Sequence, residues 1–441
     1  MKKGLMKNLP CKVLAIMVGM LLMIPSLMAQ YEETKTIKES FSISSGALIK
    51  IDHQKGELRI KRTSGKNIIA RLDIRVRGKK ENDVNEFIDK VKLSDTQEGG
   101  NVILVSNSSM KNWSIINGKS RLSLQSGEEY KGIKEIELDL EVSVPDGVNL
   151  EISNKYDDIT IEEIKANIYI KNYNGNVYTD DVDGDFFLDL KYGKAKIGNV
   201  RDAEFILYES VLNMGNASDI KLDTKYSKHT FGKVKSVDIK SYEGTFEIGK
   251  VEENIIIDDK YSDWNIGIFK DGKIKGYESE WTIGEANDIS LTSKYGDFNI
   301  GAANKIDFGK SYEDDMELGK VDIFICDNSK YSDVNIGQLV KGIYIRDDFN
   351  GDFTVNGISS SFEGAEIIGK NSDIDLPLDN IKYILEVDAK NSDISVDEDK
   401  LEAGFFSERG NQLTIRGKMN GANDNSPKVV IKGFSIDVEL D

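Results

Sequence analysis

The sequence contains few of the residues that build metal sites and cross-links. Its 441 residues include only 2 Cys, 2 His and 5 Pro. Two His and two Cys are too few ligands for a structural zinc site. The charge balance is 58 Lys and Arg against 76 Asp and Glu, a formal net charge of −18. Because a nucleic-acid-binding surface needs a basic stripe, which this acidic sequence lacks, we expect no nucleic-acid partner.

Residues 1–29 have the pattern of a secretory signal peptide. Lysines near the N-terminus precede a nearly uncharged apolar run from Val13 to Leu27, and Ala29 offers a small residue for cleavage. A membrane anchor is the alternative, but the run contains Pro25 and is shorter than the roughly 20 apolar residues of a spanning helix. We therefore predict an exported mature protein, located in the periplasm or at the cell surface.

Removal of this segment would change both the charge and the cysteine content. Residues 1–29 carry four Lys, so the mature balance becomes −18 − 4 = −22. Cys11 leaves with the signal peptide, and Cys326 alone remains, which excludes an intramolecular disulfide. No later segment is long and apolar enough for a membrane span, so we expect none after signal cleavage.

The middle of the chain repeats every 17 or 18 residues. Apolar residues stand one and three positions before each recurring glycine, as Ile266 and Trp264 do before Gly267 and Ile283 and Trp281 do before Gly284. Apolar residues two apart, with polar residues between them, predict a strand that is buried on one face. The glycines are Gly198, Gly215, Gly232, Gly249, Gly267, Gly284, Gly301, Gly319 and Gly337.

An aromatic residue opens each unit of the repeat. Its neighbours alternate between Lys-Tyr, as in Lys260-Tyr261, and Tyr-Glu, as in Tyr242-Glu243, which gives a double period of about 35 residues. The distance from tyrosine to glycine alternates between six and seven residues for most of the series, from Tyr192 to Tyr331. The aromatic residues are Tyr156, Tyr173, Tyr192, Tyr208, Tyr226, Tyr242, Tyr261, Tyr277, Tyr295, Tyr312, Tyr331 and Phe349.

These patterns predict an all-β fold, a parallel β-helix or solenoid with coils of 17–18 residues. With coils of that length, Lys260 should lie near Glu243 and Glu278, whereas a 35-residue coil would stack lysines on each other, which is destabilising. The alternation of the tyrosine-to-glycine distance between six and seven residues favours the longer coil. A 35-residue coil and an antiparallel meander both remain open alternatives.

The two ends of the chain lack the regular repeat. We predict an N-terminal β-rich cap over residues 30–147, solenoid repeats over 148–400 and closing strands over 401–441. Within the cap, Val84, Phe87, Ile88 and Val91 recur at helical spacing and predict one short amphipathic helix.

The sequence resembles the bacterial "putative adhesin" family of exported β-helix proteins. The resemblance is carried by the entry Val144-Pro145-Asp146-Gly147 and by turns such as Asn172-Tyr173-Asn174-Gly175 and Phe349-Asn350-Gly351-Asp352. It implies a right-handed β-helix at the envelope or cell surface. The family has no known catalytic residues, so none carry over to this chain.

Few residues suggest chemistry. Asp181, Asp183 and Asp185 surround Gly184 and could bind calcium, although their spacing is not that of an EF-hand loop, and a solvated turn is the alternative. His229 occupies a position filled elsewhere by Trp or Phe, which predicts a core residue.

The tyrosines could form a platform for sugar rings, or could stack on each other and seal the coil. The members considered for such a binding face are Tyr226, Tyr242, Tyr261, Tyr277, Tyr295, Tyr312 and Tyr331.

Two classes of function fit this sequence. The first is a non-enzymatic binding or scaffold protein of the cell envelope or surface, with a protein or glycan partner and no cofactor. The alternative is a polysaccharide lyase or hydrolase, which would need an irregular cluster of carboxylates and a basic residue. The acidic residues instead recur with the repeat, so we expect no catalytic residues.

Overall fold

The computed structural model describes residues 30–106, 110–117 and 119–440. It is 69% strand and 3% helix, and its parallel strands stack into a solenoid of about 13 turns. The parallel solenoid predicted from the repeat is therefore confirmed, while its right hand stays a prediction. The predicted signal peptide, residues 1–29, lies outside the described residues. No helix within the described ranges is long and apolar enough to cross a membrane.

The N-terminal region combines antiparallel strands with the first coil. Strand β4 lies antiparallel between β1 and β10, and α1 is the predicted helix, with Val84, Phe87 and Ile88 buried. The elements are β1 (Tyr31–Ser42), β2 (Leu48–Gln54), β3 (Leu58–Thr63), β4 (Asn67–Gly78), α1 (Glu81–Lys90), β5 (Ser94–Glu98), β6 (Asn101–Val105), β7 (Met110–Ile116), β8 (Lys119–Leu124), β9 (Glu129–Tyr130) and β10 (Ile133–Pro145).

The coils begin with β2 and β3. These strands pair in parallel with β11 (Asn149–Lys155) and β12 (Ile159–Ile161), which follow them by about 100 residues of chain. The next strands are β13 (Ile168–Tyr173), β14 (Val177–Thr179), β15 (Phe186–Lys191), β16 (Lys194–Ile197), β17 (Ala203–Tyr208), β18 (Val211–Met214), β19 (Ala217–Lys225), β20 (Lys228–Tyr242), β21 (Thr245–Val251) and β22 (Asn254–Lys260).

Five strands of the later coils, β23 to β26 and β28, are 12–17 residues long. The strands of these coils are β23 (Asp263–Lys275), β24 (Glu280–Thr292), β25 (Asp297–Tyr312), β26 (Asp315–Cys326), β27 (Ser329–Lys330), β28 (Asp333–Phe349) and β29 (Asp352–Val355). Pairing is parallel and in register: Leu222 lies opposite Ile239, and Ile239 lies opposite Ile257. The coil is thus 17–18 residues long, and both the 35-residue coil and the antiparallel meander are wrong.

Glycine at the recurring position is required by the close approach of neighbouring coils. A Cβ atom on Gly284 would lie 2.3 Å from the carbonyl oxygen of Gly267, and one on Gly319 would lie 2.2 Å from that of Gly301. Inside the coil, Trp264 and Trp281 are buried and stack in parallel with their ring centroids 5.0 Å apart. The predicted inward orientation of both tryptophans is confirmed.

The C-terminal strands do not follow chain order. Strand β36 inserts in parallel between β30 and β32, so that Val429 lies opposite both Ala365 and Leu385, and the hairpin of β34 and β35 adds antiparallel to β32. The strands are β30 (Gly364–Lys370), β31 (Asp373–Asp375), β32 (Tyr383–Lys390), β33 (Asp393–Ser395), β34 (Leu401–Arg409), β35 (Gln412–Met419), β36 (Lys428–Phe434) and β37 (Asp437–Glu439).

Candidate functional site

Twelve aromatic rings form one row along a corner of the solenoid, and we call this row the aromatic ladder. Each ring meets the next edge to face, with centroids 5.4–6.0 Å apart and planes inclined by 75–88°. Such pairs each contribute about 0.5–1.5 kcal/mol beyond burial. The row contains all of the aromatic residues that open the repeat units in the sequence: Tyr156, Tyr173, Tyr192, Tyr208, Tyr226, Tyr242, Tyr261, Tyr277, Tyr295, Tyr312, Tyr331 and Phe349.

The alternating six- and seven-residue offset has a structural cause. In one coil the tyrosine is the last residue before the corner, as Tyr242 is, and in the next coil it is the corner residue itself, as Tyr261 is. Strand pairing places Tyr242 opposite Lys260, so the two tyrosines lie one position apart in register. The ladder therefore zigzags between two columns, a strand-end column and a corner column, on a coil of constant length.

The corner column holds its residues in a left-handed backbone conformation. Six tyrosines there have φ between 55° and 74°: Tyr156, Tyr192, Tyr226, Tyr261, Tyr295 and Tyr331. This conformation costs residues other than glycine roughly 1–2 kcal/mol, and Asn adopts it more readily than most. The same corner carries Asn174, Asn350, Asn371 and Asn391 in other coils. The backbone alone would therefore favour Asn where the ladder has Tyr.

Much of the ladder faces solvent. The six corner-column tyrosines are 39–46% exposed, and Tyr173 is 44% exposed. The rings thus stack on each other, as the sealing interpretation requires, and also offer aromatic surface to a ligand, as the binding interpretation requires.

Charged residues alternate with the rings in both columns. Lysines share the strand-end column and glutamates share the corner column. Lys260 lies opposite Tyr242 in register, and its carbonyl oxygen accepts a hydrogen bond from the backbone N–H of Glu243 at 2.8 Å, so Lys260 is near Glu243 as predicted but faces a tyrosine. Lys294 places its Nζ 5.8 Å from the centroid of Tyr312. The lysines are Lys155, Lys191, Lys225, Lys260, Lys294 and Lys330, and the glutamates are Glu209, Glu243, Glu278 and Glu313.

The glutamates are coupled to the tyrosine hydroxyls. A hydrogen bond to Glu278 raises the pKa of Tyr277, and one to Glu313 raises the pKa of Tyr312. Both tyrosines therefore stay protonated at neutral pH and donate to a carboxylate beside them.

A lysine closes each end of the ladder. Lys55 places its Nζ 4.5 Å from the ring centroid of Tyr156 and 4.9 Å from that of Trp113. At the other end, Lys370 lies over Phe349 and Phe434 at 5.6 and 5.9 Å. Cations over aromatic faces are attracted by the ring quadrupole, so each of these lysines stabilises one terminal ring.

Beneath the ladder runs a buried network of serines and aspartates that sequence reasoning missed. Asp314 accepts hydrogen bonds from the backbone of Gly296 at 2.8 Å and of Tyr312 at 3.0 Å, and from Ser311 Oγ at 2.7 Å. Burial raises the pKa of Asp314, and it also raises that of Asp348. The recurring serine after the tyrosine was the signal that could have revealed this network.

A second row consists of acidic residues on the solvent face of the strands that follow the ladder corner. We call it the carboxylate row. Its nine exposed members lie opposite one another in successive coils. Five of them stand four positions before a recurring glycine, so the repeat itself could have predicted the row. The members are Asp263, Glu280, Asp297, Asp315, Asp333, Asp352, Asp373, Asp437 and Asp393.

A shallow groove lies along the starts of the strands that end at the ladder. Tyr169 and Phe187 stack in this groove, with centroids 4.2 Å apart and planes inclined by 4°. Asp185, Asp202 and Asp219 also line it.

These three aspartates bear on the enzyme alternative. Strand pairing places them one per coil, in a row rather than around one point. Arg201 donates to Asp185 at 2.8 and 3.0 Å, and Lys221 pairs with Glu204 at 3.0 Å. The basic side chains near the groove are therefore used in ion pairs along the repeat.

The calcium candidates make contacts with separate neighbours. The carboxylate of Asp181 accepts hydrogen bonds from Asn199, and these bonds lower the pKa of Asp181. The carboxylate of Asp183 lies 3.7 Å from Lys165 Nζ. Asp185 accepts hydrogen bonds from Arg201, as described above. Within the described residues, no group of three or more His, Cys, Asp or Glu side chains is arranged to hold a metal ion. Calcium binding by Asp181, Asp183 and Asp185 stays a prediction.

The remaining reactive residues are interior. His229 is buried against Phe246, and desolvation lowers its pKa to about 3, which confirms the predicted core position. His53 is also buried, and its pKa is lowered to about 4 by desolvation. Burial raises the pKa of Cys326 to about 12, so its thiol is not a nucleophile at neutral pH.

No protein-family model matches the chain, and no curated protein matches it. Among solved structures it is similar to a "putative adhesin" from Parabacteroides merdae, with 9% identity, a TM-score of 0.30 and coverage of 60% of this chain and 95% of the other. A "putative adhesin" from Bacteroides fragilis has 15% identity and a TM-score of 0.27, with coverage of 60% of this chain and 96% of the other. A "putative cell adhesion protein" from Clostridium sporogenes has 9% identity and a TM-score of 0.16, with coverage of 94% of this chain and 100% of the other. These descriptions agree with the family that the sequence resembles, and the fold described above stands on this chain's own strand pairing.

Proposed function

We propose that this protein is exported and acts at the cell envelope or cell surface as a non-enzymatic binding protein, holding an extended glycan along the aromatic ladder. The observation that carries the proposal is the repeated placement of an exposed tyrosine at a left-handed corner. Strained backbone positions that persist through a structure are a recognised feature of functional sites.

The chemistry of the ladder suits a sugar polymer. Aromatic rings present apolar surface to the flat faces of sugars, while the ammonium and carboxylate groups between the rings can bind sugar hydroxyls. Exposed apolar surface that continues across many coils is typical of an interaction site. A row of twelve rings would contact several sugars at once, so weak contacts would add up.

The arrangement of the acidic residues supports a non-enzymatic role. A glycosidase or lyase needs carboxylates placed around one bond of the substrate. In this chain the acidic residues of the carboxylate row and of the groove recur once per coil. A repeated row offers many equivalent positions and no single reaction centre.

The test compares two triple variants of the purified protein on a panel of soluble polysaccharides and cell-envelope glycans. The ladder variant carries Tyr226→Asn, Tyr261→Asn and Tyr295→Asn, and Asn already occupies this corner in other coils. We expect this variant to keep its fold by circular dichroism and to lose at least tenfold in affinity for the glycan that the wild type binds.

The control variant carries Ile206→Thr, Ile256→Thr and Ile268→Thr, which remove exposed apolar side chains outside the ladder. It should bind as the wild type does. Equal binding by the ladder variant, or capture of a protein and no glycan, would contradict glycan binding at the ladder. Release of new reducing ends or unsaturated sugars during incubation would favour the enzyme alternative instead.

Export has its own test. Cells that express the full chain should yield a mature form that begins at residue 30, found in the periplasm or at the surface by fractionation and N-terminal sequencing. An uncleaved chain retained in the cytoplasm would contradict export and leave the binding experiment unaffected.

A further inference from the structure

We infer that the ligand of the aromatic ladder is a linear polysaccharide with a two-sugar repeat that carries one anionic group in each repeat. This inference rests on the proposed function and names its ligand class. It is carried by the period of the ladder and by the lysines within it.

The ladder repeats structurally every two coils. Successive rings are inclined by 75–88° and alternate between the strand-end and corner columns, so the same column returns only at every second ring. Two coils span roughly 9.6 Å, since strands within a sheet lie about 4.8 Å apart. This distance is close to the length of one extended disaccharide of β-linked sugars. A chain with a two-sugar repeat would therefore meet the same surface at each step.

The lysines follow the same double period. Lys225, Lys260, Lys294 and Lys330 each precede a corner-column tyrosine and thus recur every second coil. Some exposed lysines of this acidic protein pair with neighbouring carboxylates, as Lys233 pairs with Glu252. Among the described residues, the four ladder lysines have no such ion pair, so their ammonium groups are available to a ligand.

Each two-coil unit of the ladder also carries a glutamate, in the corner column. Tyr277 donates a hydrogen bond to Glu278 and Tyr312 donates one to Glu313, which engages these carboxylates but leaves them charged. The ammonium group, one per two coils, is the group of the ladder that a carboxylate or sulfate on alternate sugars would bind.

The rest of the surface restricts where such a polymer can lie. The carboxylate row presents nine stacked acidic residues on the sheet that begins beside the ladder, where Asp263 stands two positions after Tyr261, and it would repel an anionic chain that extended onto that sheet. Repulsion from the wrong surface together with attraction at the right one is how binding becomes specific. The ladder is a long surface that combines aromatic rings with lysines that have no ion pair among the described residues.

The experiment uses matched pairs of polymers. The acidic probes are hyaluronan, unsulfated chondroitin and heparosan, each with one uronate per disaccharide, and the neutral probes are the same polymers after reduction of their carboxyl groups to alcohols. We expect at least one acidic probe to bind the wild type at least tenfold more tightly than its neutral form does, with a difference that shrinks as salt is raised.

Two lysine variants locate the effect. The ladder variant carries Lys225→Gln, Lys260→Gln, Lys294→Gln and Lys330→Gln, and it should lose the preference for the acidic form while still binding the neutral form. The control carries Lys240→Gln, Lys250→Gln, Lys273→Gln and Lys320→Gln, which remove the same charge from exposed positions outside the ladder. It should keep the preference.

The outcomes separate this inference from the proposed function. A neutral glycan bound as tightly as the acidic ones, through the ladder tyrosines, would overturn the anionic repeat and leave glycan binding intact. A preference lost equally in both lysine variants would also overturn the inference, because general charge would then explain it. Failure of every acidic probe while the tyrosine experiment succeeds with another glycan would overturn it as well. Failure of both experiments would overturn both proposals.

Discussion

The aromatic ladder and the carboxylate row run along the same solenoid and stack their side chains in opposite ways. In the ladder, each strand-end residue lies opposite a different kind of residue, as Lys225 lies opposite Tyr208 and Tyr242. In the carboxylate row, each acidic residue lies opposite another, as Asp297 lies opposite Glu280 and Asp315. Because like charges that face each other across a strand pair are destabilising, the row opposes folding and the ladder does not.

This difference shows that the 35-residue period belongs to the ladder and not to the backbone. The coils that carry the first five members of the carboxylate row, Asp263 to Asp333, have 17–18 residues, and the row repeats once per coil. Alternation is therefore a feature of the ladder's own sequence, and the ladder is also where tyrosines occupy left-handed corners. The interior, with its stacked aromatic rings and close glycines, provides the stability that both rows require.

The largest effect should come from changing the spacing that both rows share. We expect Gly284→Ala to lower the free energy of unfolding by roughly 3 kcal/mol, because the new Cβ would overlap the carbonyl oxygen of Gly267. Gly249→Ala is the matched control, since a Cβ there meets no atom within 4 Å. Urea unfolding of both variants measures the difference. Similar losses in the two would show that coil spacing does not depend on these glycines.

Much of the fold could be predicted because the repeat fixes which side chains face inward. The positions before Gly267 and Gly284 predicted buried tryptophans, and both are buried. The insertion of β36 between β30 and β32 could not be predicted, because parallel pairing between distant segments leaves no local signal. The same holds for β2 and β3, which form a coil without the glycine and tyrosine that mark the others.

The candidate site was predicted only in part. The repeat identified the ladder tyrosines, but a one-residue shift in register decides whether Lys260 faces Glu243 or Tyr242, and the sequence spacing fits both. The left-handed conformation of Tyr261 was also unpredictable, because tyrosine has no preference for it. The carboxylate row was predictable from its fixed distance to the glycines.

The second effect concerns the buried aspartates Asp314 and Asp348 below the ladder. Burial raises the pKa of Asp314 and Asp348 in the folded protein. Below pH 3.8, the ordinary pKa of aspartate, both carboxyl groups are protonated, and their contribution to the stability of the folded protein is fully present. This stability is lost as the pH rises through their raised pKa values, because the buried groups must then become charged.

Because the pKa of Asp314 is raised in the folded protein, we expect Asp314→Ser to reduce the loss of stability that the wild type shows as the pH rises above about 4. Serine suits the site, since Ser332 occupies the equivalent position in the next coil. Chemical denaturation over a pH series measures the slope. Asp315→Ser, at an exposed neighbouring position, is the control, and an unchanged slope for Asp314→Ser would contradict the assignment.

The third effect tests the like-charge contacts of the carboxylate row. Asp297→Asn combined with Asp315→Asn should raise the free energy of unfolding by about 1 kcal/mol at low ionic strength, because each like-charge pair costs about 0.2–1 kcal/mol. High salt should remove the gain by screening the wild-type repulsion. Lys260→Gln with Lys294→Gln in the ladder should have no such effect, since tyrosines separate those lysines. A gain that persists in high salt would point to a cause other than charge.

The smallest effect distinguishes the two columns of the ladder. Tyr261→Asn loses two edge-to-face contacts, about 2 kcal/mol together, but relieves a left-handed tyrosine by about 1 kcal/mol, so it should be less stable than the wild type by about 1 kcal/mol. Tyr242→Asn loses the same kind of contacts from the strand-end column with no such relief, so it should be less stable than Tyr261→Asn by about 1 kcal/mol. Thermal unfolding of the two single variants measures this difference. If Tyr261→Asn were the less stable variant, the corner tyrosines would be there for stability, and the strain that supports their role in binding would no longer need a functional explanation.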